Sequence, residues 1–160
     1  MNPTFKPVFV SNADVAVAFA ANTALARSII FTYTVPAGNW VQLRNNALLV
    51  LDLRTAANVL ISQDSRILIG YRNPGQIGET WIHEAGYMPW FRTALNSQTN
   101  DQLNGSLRIP VSMRGDNGAV APYLNRGRGR QILIGLISPQ VIAVANSRCE
   151  IETWVSPWSD

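Results

Sequence analysis

The sequence has one cysteine and one histidine in 160 residues. A single cysteine allows no intrachain disulfide, so a secreted fold held together by disulfides is excluded. Cys149 lies in the alternating run RCEIETWV, and we expect it to be a small buried hydrophobic residue. Because His83 is the only histidine, a metal site built from several histidines is excluded as well.

Charged residues are also scarce. Asp, Glu, Lys and Arg make up 14% of the chain, against about 25% in typical soluble domains. Hydrophobic residues make up 47% and include five tryptophans. Because little polar surface is available to cover the fold, we expect part of it to be buried against other protein. Lys6 is the only lysine, so the basic residues are almost all arginines, which suit bidentate pairing at interfaces better than lysines do.

Long hydrophobic runs are absent. No apolar stretch approaches the roughly 20 residues that a transmembrane helix needs, so we expect no membrane span. The first residues lack the basic stretch and continuous apolar segment of a secretory signal. We therefore expect the protein to stay in a cytoplasm or to be assembled there into a larger structure. The length of 160 residues matches one domain, which can bury roughly 70% of its unfolded surface.

The polar residues do not form a recognisable catalytic set. No serine lies in a nucleophile-elbow pattern, and a Ser-His-Asp triad would need His83 as its base. Glu150 and Glu152 share one face of a predicted strand, which is more typical of a solvated or Arg-paired edge than of a glycosidase pair. We predict that the protein is not an enzyme and uses no cofactor or metal; an enzyme that depends on His83 is the alternative.

The segment Ser28–Arg54 has the clearest secondary-structure pattern. The run SIIFTYTV alternates at period two in β-branched and aromatic residues, which is typical of a strand. PAGN follows as a turn, because Pro36 fixes φ and Gly38 and Asn39 tolerate positive φ. The run WVQLRNNALLVLDLR continues as strand, so we predict a β-hairpin here.

Further strand patterns follow along the chain, and no convincing helix of three turns occurs after residue 30. The runs lie at 66–72, 80–83, 90–95, 106–113, 131–138, 141–145 and 148–155, separated by turn signals. Eight or nine strands at this spacing predict an all-β fold, a single jelly-roll-like β-sandwich of about eight strands. The apolar runs Leu48–Leu51 and Ile132–Ile134 are typical of strands covered on both faces.

The N-terminal segment differs from the rest. It starts with a proline-containing stretch and continues as an alanine-rich one. A cap at Asn12 or Ser11 would start a short helix over Ala13–Arg27, whereas the alternation of VAVAF at 15–19 favours a strand. We predict an N-terminal arm or short first element at 1–27 and a β-sandwich domain at 28–160.

The run RGRGR is the most distinctive polar motif. Arg126, Arg128 and Arg130 with glycine spacers form a flexible basic loop, which could pair with carboxylates of a neighbouring subunit. It could instead contact nucleic acid or anionic lipid head groups. The net charge of +3 is low for a dedicated nucleic-acid binder, so we favour a protein interface or solvent.

An aromatic cluster follows the motif NPGQIG. Trp81, Tyr87 and Trp90 lie in a Gly/Pro-rich stretch and could stack on a sugar. Aromatic residues of this kind also fill the end of a sandwich or form an interface hot spot, and we favour these two roles over a sugar site.

Taken together, these features resemble the single jelly-roll virion proteins. The resemblance is carried by the size, the near-absence of helix, the N-terminal arm, the run FTYTVPAGNWVQL, the aromatic Gly/Pro loop and the missing catalytic set. The most similar groups are the small major capsid proteins of tailless icosahedral phages of thermophilic bacteria and the decoration proteins of tailed thermophilic phages. No site residue carries over.

The resemblance implies a virion structural protein that forms or decorates an icosahedral capsid shell. Its partners would be further copies of itself or a second capsid protein, and it would be assembled in the host cytoplasm and located in the virion. The alternative is a carbohydrate- or receptor-binding jelly-roll module, such as a phage fibre tip or a lectin-like domain.

Overall fold

The computed structural model describes residues 4–44, 47–59, 61, 65–82, 104–109, 113–114, 120–121 and 123–157. Within these ranges all of the regular secondary structure is β-strand, apart from one turn of 3₁₀ helix at Val144–Asn146. None of the described segments forms a helix long and apolar enough to cross a membrane. The prediction of an all-β fold is confirmed for this part of the chain.

The strands, in chain order, are β1 (Lys6–Ser11), β2 (Val17–Phe19), β3 (Ser28–Thr34), β4 (Asn39–Arg44), β5 (Ala47–Asp52), β6 (Arg66–Arg72), β7 (Thr80–Trp81), β8 (Asn104–Ile109), β9 (Met113–Arg114), β10 (Val120–Ala121), β11 (Tyr123–Arg126), β12 (Gln131–Ile137) and β13 (Arg148–Pro157). They form two main sheets, and β9 and β10 pair as a small separate ribbon.

The first sheet is organised around the long strand β13. One edge of β13 pairs with β1, and the other pairs with β4 and β5 in succession. The far edges of β4 and β5 pair with β11 and β8. All of these pairings are antiparallel. Both β4–β5 and β8–β11 therefore act as single interrupted strands of this sheet.

The second sheet is antiparallel in the order β2-β3-β12-β6-β7. If β4–β5 and β8–β11 each count as one strand and β2 as an edge addition, the two sheets contain eight strands. Their order is first-eighth-third-sixth in one sheet and second-seventh-fourth-fifth in the other. This is the strand order of a jelly roll, a sandwich made of two Greek keys. The predicted jelly-roll sandwich of about eight strands is confirmed.

The core lies between the two sheets and comes from alternate residues of their strands, as period-two burial requires. The largest fully buried side chains are Phe31, Ile30, Leu43, Leu49, Leu51, Leu53, Ile61, Ile67, Leu68 and Ile69. On β12, Ile132 and Ile134 belong to this core, whereas Leu133 faces away from it and is still fully buried. The predicted covering of both faces is confirmed for Ile132–Ile134 but not for Leu48–Leu51, where Leu48 and Val50 are only half-buried.

The predicted hairpin at Ser28–Arg54 is wrong, although both of its strands exist. β3 pairs with β2 and β12 in the second sheet, whereas β4 pairs with β11 and β13 in the first. The PAGN turn therefore carries the chain from one sheet to the other. Its Asn39 N–H donates to the Pro36 carbonyl at 3.4 Å, which closes a turn without pairing the strands.

Two further local predictions can be compared with the structure. In the N-terminal segment the described residues form β1 and β2, so the strand alternative applies rather than the helix. That residues 1–27 reach a neighbouring subunit as an arm stays a prediction. The strand predicted at 141–145 is wrong, because the chain there forms an irregular stretch that leads into the 3₁₀ turn. The strand predicted at 90–95 lies outside the described residues.

Candidate functional site

Three chain connections meet at one end of the sandwich: 35–38, 73–79 and 127–130. The first and third carry the chain between the two sheets and are hydrogen-bonded to each other. The Val35 N–H donates to the Arg130 carbonyl at 2.9 Å, and the Gly129 N–H donates to the Val35 carbonyl at 2.9 Å. The geometry of the Arg loop, Arg126–Arg130, is therefore set by a segment distant in sequence.

The connections 73–79 and 127–130, together with Trp40 of β4, border an open depression of about 480 Å³, which we call the end depression. It is lined by Trp40, Asn73, Pro74, Gly127, Arg128 and Arg130. Its volume lies within the roughly 300–1,000 Å³ range of known ligand sites. The end depression thus brings two of the predicted arginines together with an indole and a carboxamide.

The three predicted arginines do not share one environment. Arg126 is half-buried, and its guanidinium carbon lies 3.7 Å from the centroid of the Tyr71 ring. Arg126 pairs with Val41, a fully buried core residue of β4, so its side chain covers the end of the core. Burial lowers the pKa of Arg126, and the charge of Arg130 lowers it further, while Tyr71 acts in the opposite direction.

Arg128 and Arg130 face the end depression instead. Arg128 is exposed and Arg130 is half-buried. Among the described residues, neither side chain has a hydrogen-bond or ion-pair partner. On the neighbouring connection, the carboxylate of Glu79 accepts from Arg72 Nη2 at 3.3 Å. The end depression therefore carries net positive charge.

The uncharged residues of the end depression add two chemical features. The buried Oδ1 of Asn73 has no hydrogen-bond partner among the described residues. The Trp40 ring lies against Gly127, where an added Cβ would approach three ring atoms at 3.3–3.4 Å. Glycine at this position lets the indole pack onto the turn. Neither Trp40 nor Asn73 is predicted from the sequence, since no local pattern links either residue to the Arg loop.

Of the predicted aromatic cluster, Trp81 lies within the described residues and Tyr87 and Trp90 lie outside them. A Cβ added to Gly70 or Gly135 would lie 2.6–2.7 Å from the Trp81 ring, so the indole packs directly on the backbone of β6 and β12. The guanidinium of Arg27 lies 5.8 Å from its centroid. Much of the Trp81 ring is therefore engaged in packing on the outer face of the second sheet.

A second surface feature is the outer edge of β1, which we call the β1 edge. In the described part of the chain, β1 pairs with β13 alone, which leaves its other backbone edge open. Val8 and Phe9 are exposed on opposite faces of this strand, and Val15 nearby is fully exposed. A groove of about 240 Å³ runs beside them, lined by Val8, Phe9, Val10, Asp14, Val15, Ala16 and Tyr33.

The candidate catalytic residues have no common site in the described part of the chain. Cys149 is fully buried in the core, as predicted, and burial raises the pKa of its thiol, with a smaller contribution from Glu150. Glu150 contacts the guanidinium of Arg148, as expected for an Arg-paired edge. His83 lies outside the described residues. No described group of three His, Cys, Asp or Glu residues is placed to hold a metal ion.

Comparisons with known proteins identify several similar solved structures, including two from one bacteriophage. No protein-family model and no curated protein matches the chain. VP17, a capsid protein of bacteriophage P23-77, is similar with a TM-score of 0.43 and 8% identity, covering 100% of both chains. A complex of VP16 and VP17, the two major capsid proteins of that phage, is similar with a TM-score of 0.40 and 7% identity, covering 95% of this chain and 98% of the other. Both come from the capsid of a bacteriophage, the class of particle that the sequence resemblance named.

Proposed function

We propose that this chain is a virion structural protein that forms or decorates an icosahedral capsid shell. The observation that carries the proposal is the β1 edge, where an open strand edge coincides with exposed apolar side chains. Jelly-roll sandwiches are a common architecture of capsid subunits, though lectin domains and some enzymes share it. The proposal therefore rests on the surface of this chain rather than on its fold.

The β1 edge has the properties of a contact surface. An open edge presents unpaired N–H and C=O groups and is a template for association, which monomeric proteins avoid with charges or prolines. Here Lys6 and Pro7 protect only the beginning of β1. The following residues Val8 and Phe9 are apolar and more than two-fifths exposed. Burial of such side chains in a neighbouring subunit supplies a favourable free energy of association.

The partner on this edge is another copy of the chain or a second capsid protein. Such contacts account for the low charge content, because surface buried between subunits needs no polar cover. In this role the protein acts by assembly and not by catalysis. It would be assembled in the host cytoplasm and located in the virion.

The carbohydrate- or receptor-binding alternative has less support from the described residues. A sugar-stacking site needs an aromatic face open to solvent. The Trp81 ring instead lies against the backbone of two strands. No second function is proposed on this basis.

Sedimentation velocity over a range of protein concentrations tests the role of the β1 edge. We expect the wild-type protein to associate beyond the monomer, and Phe9→Glu to weaken this association at least tenfold by placing a charge in the contact. Val59→Glu is the matched control, because Val59 is a similarly exposed valine in a connection after β5. It should associate like the wild type, and thermal unfolding should show that both variants fold.

Two outcomes would overturn the proposal. One is a wild-type protein that stays monomeric at high concentration and is absent from purified virus particles by mass spectrometry. The other is equal association of the wild type, Phe9→Glu and Val59→Glu together with absence from particles. An abundant chain in purified particles supports the proposal directly.

A further inference from the structure

The end depression holds two cationic groups that nothing in the described chain neutralises. Arg128 and Arg130 lie on a turn fixed by hydrogen bonds to Val35, so their backbone positions are set before any ligand arrives. Arg72 is already paired with Glu79. Guanidinium groups bind carboxylates through paired N–H donors, and such charge-assisted bonds are stronger than neutral ones. The depression is therefore suited to an anionic group.

The walls indicate which kind of anion fits. Trp40 and Pro74 supply apolar surface beside the charged groups. The Trp40 ring packs against Gly127, so it is not a free platform for base stacking. Nucleic-acid grooves combine free aromatic faces with an extended basic track. The end depression has one engaged ring and two arginines in a compact space, which suits an acidic peptide better.

We infer that the end depression binds an acidic segment of another protein subunit, with a carboxylate of that segment on Arg128 and Arg130. The inference rests on the proposed function, since it supplies a second contact for shell assembly. In this arrangement the β1 edge provides apolar burial, and the end depression fixes which acidic segment is accepted and in what register.

Calorimetric titration with a defined probe tests the inference. The probe is the peptide acetyl-Gly-Asp-Glu-Asp-Gly-amide, and its uncharged counterpart carries Asn and Gln at the acidic positions. We expect the acidic peptide to bind and the uncharged peptide not to bind. The double variant Arg128→Gln/Arg130→Gln should weaken binding of the acidic peptide at least tenfold.

The matched control is Arg66→Gln, which removes one exposed arginine at the opposite end of the β6–β12 pair, where Arg66 lies opposite Ile137. This variant should bind the peptide like the wild type. Because Arg128 is exposed and Arg130 lies on a turn, the double variant should keep the wild-type unfolding temperature. A loss of peptide binding with an unchanged unfolding temperature separates recognition from stability.

Parallel titrations with inorganic phosphate and with a decathymidylate oligonucleotide distinguish other anions. Tighter binding of either probe than of the peptide would overturn the inference, as would peptide binding that does not change in the double variant. The absence of peptide binding would overturn it as well. All titrations are repeated in Phe9→Glu, so a failure of association at the β1 edge cannot be mistaken for a failure at the end depression.

Discussion

The guanidinium carbon of Arg126 lies 3.7 Å from the centroid of the Tyr71 ring, and this contact joins the two sheets. Arg126 ends β11 in the first sheet, and Tyr71 lies in β6 of the second. The Tyr71 side chain packs in turn against the core. A cation over an aromatic face is attracted to the ring quadrupole, more so when both groups are shielded from water. Arg126 therefore stabilises the sandwich, whereas Arg128 and Arg130 face the end depression.

Replacing Arg126 should destabilise the fold. Arg126→Met keeps most of the apolar stem and removes the charge, so the cation–π contact is lost while packing is largely retained. We expect the free energy of unfolding to fall by about 1 kcal/mol, measured by urea denaturation. Arg128→Met is the control, and it should change the value by less than about 0.5 kcal/mol because Arg128 is exposed. Equal effects of Arg126→Met and Arg128→Met would contradict a stabilising contact between Arg126 and Tyr71.

Asn22 should be a strong determinant of stability. It is 4% exposed, its Nδ2 donates to the Gln140 carbonyl at 2.8 Å, and its Oδ1 accepts from the buried Ile142 N–H at 2.9 Å. Asn22→Leu leaves both backbone groups without this partner, and we expect a loss of about 1–3 kcal/mol in urea denaturation. Asn146→Ala removes an exposed contact with the Thr55 carbonyl and should cost clearly less. A smaller loss of unfolding free energy for Asn22→Leu than for Asn146→Ala would contradict this role of Asn22.

Gly135 should tolerate no side chain while Trp81 is present. A Cβ at Gly135 would lie 2.7 Å from the Trp81 ring, closer than atoms normally approach. Gly135→Ala should therefore cost about 1–3 kcal/mol through overpacking. In a Trp81→Leu background the same substitution should cost much less, because the ring is gone. A double-mutant cycle measures this coupling, and additive effects would rule out the clash.

The stability of the protein should fall at alkaline pH through Cys149. Burial raises the pKa of this thiol in the folded state, whereas an unfolded thiol ionises near pH 8.5. The contribution of the protonated thiol to the free energy of unfolding is fully present below pH 8.5. It is lost as the pH rises toward the pKa of the thiol in the folded state. Between pH 7.5 and 9.5 the free energy of unfolding, measured by urea denaturation, should fall by about 1 kcal/mol more in the wild type than in Cys149→Ala. Identical pH profiles would show that the thiol ionises freely in the fold.

The local sequence pattern predicted the strands well. The runs at 28–35, 66–72 and 131–138 became strands at nearly those residues, because alternating β-branched and aromatic residues fit a pleated surface with one buried face. The buried thiol of Cys149 followed from the same alternation. The failure at 141–145 has a similar origin, since a short apolar run indicates burial without specifying an extended backbone.

Local sequence patterns predicted neither which strands pair nor which residues line the end depression. A short Pro/Gly turn fits both a hairpin and a crossing between sheets, and the partners β2, β12, β11 and β13 decided between them. The three arginines were grouped by their spacing, yet the contact with Tyr71 separates Arg126 from the other two. Trp40 and Asn73 belong to the site only because β4 and the connections 73–79 and 127–130 meet at one end of the sandwich.

By itself, the sequence determined that this chain is an all-β domain with little charge, one buried cysteine and strands of known position. These properties depend on the alternation and composition of neighbouring residues, which the local chain carries. The tertiary structure decided which strands share a sheet, which arginine supports the core and which two face the end depression. Those properties depend on contacts between residues far apart in sequence, and such contacts arise only when both sheets bury their apolar faces against each other.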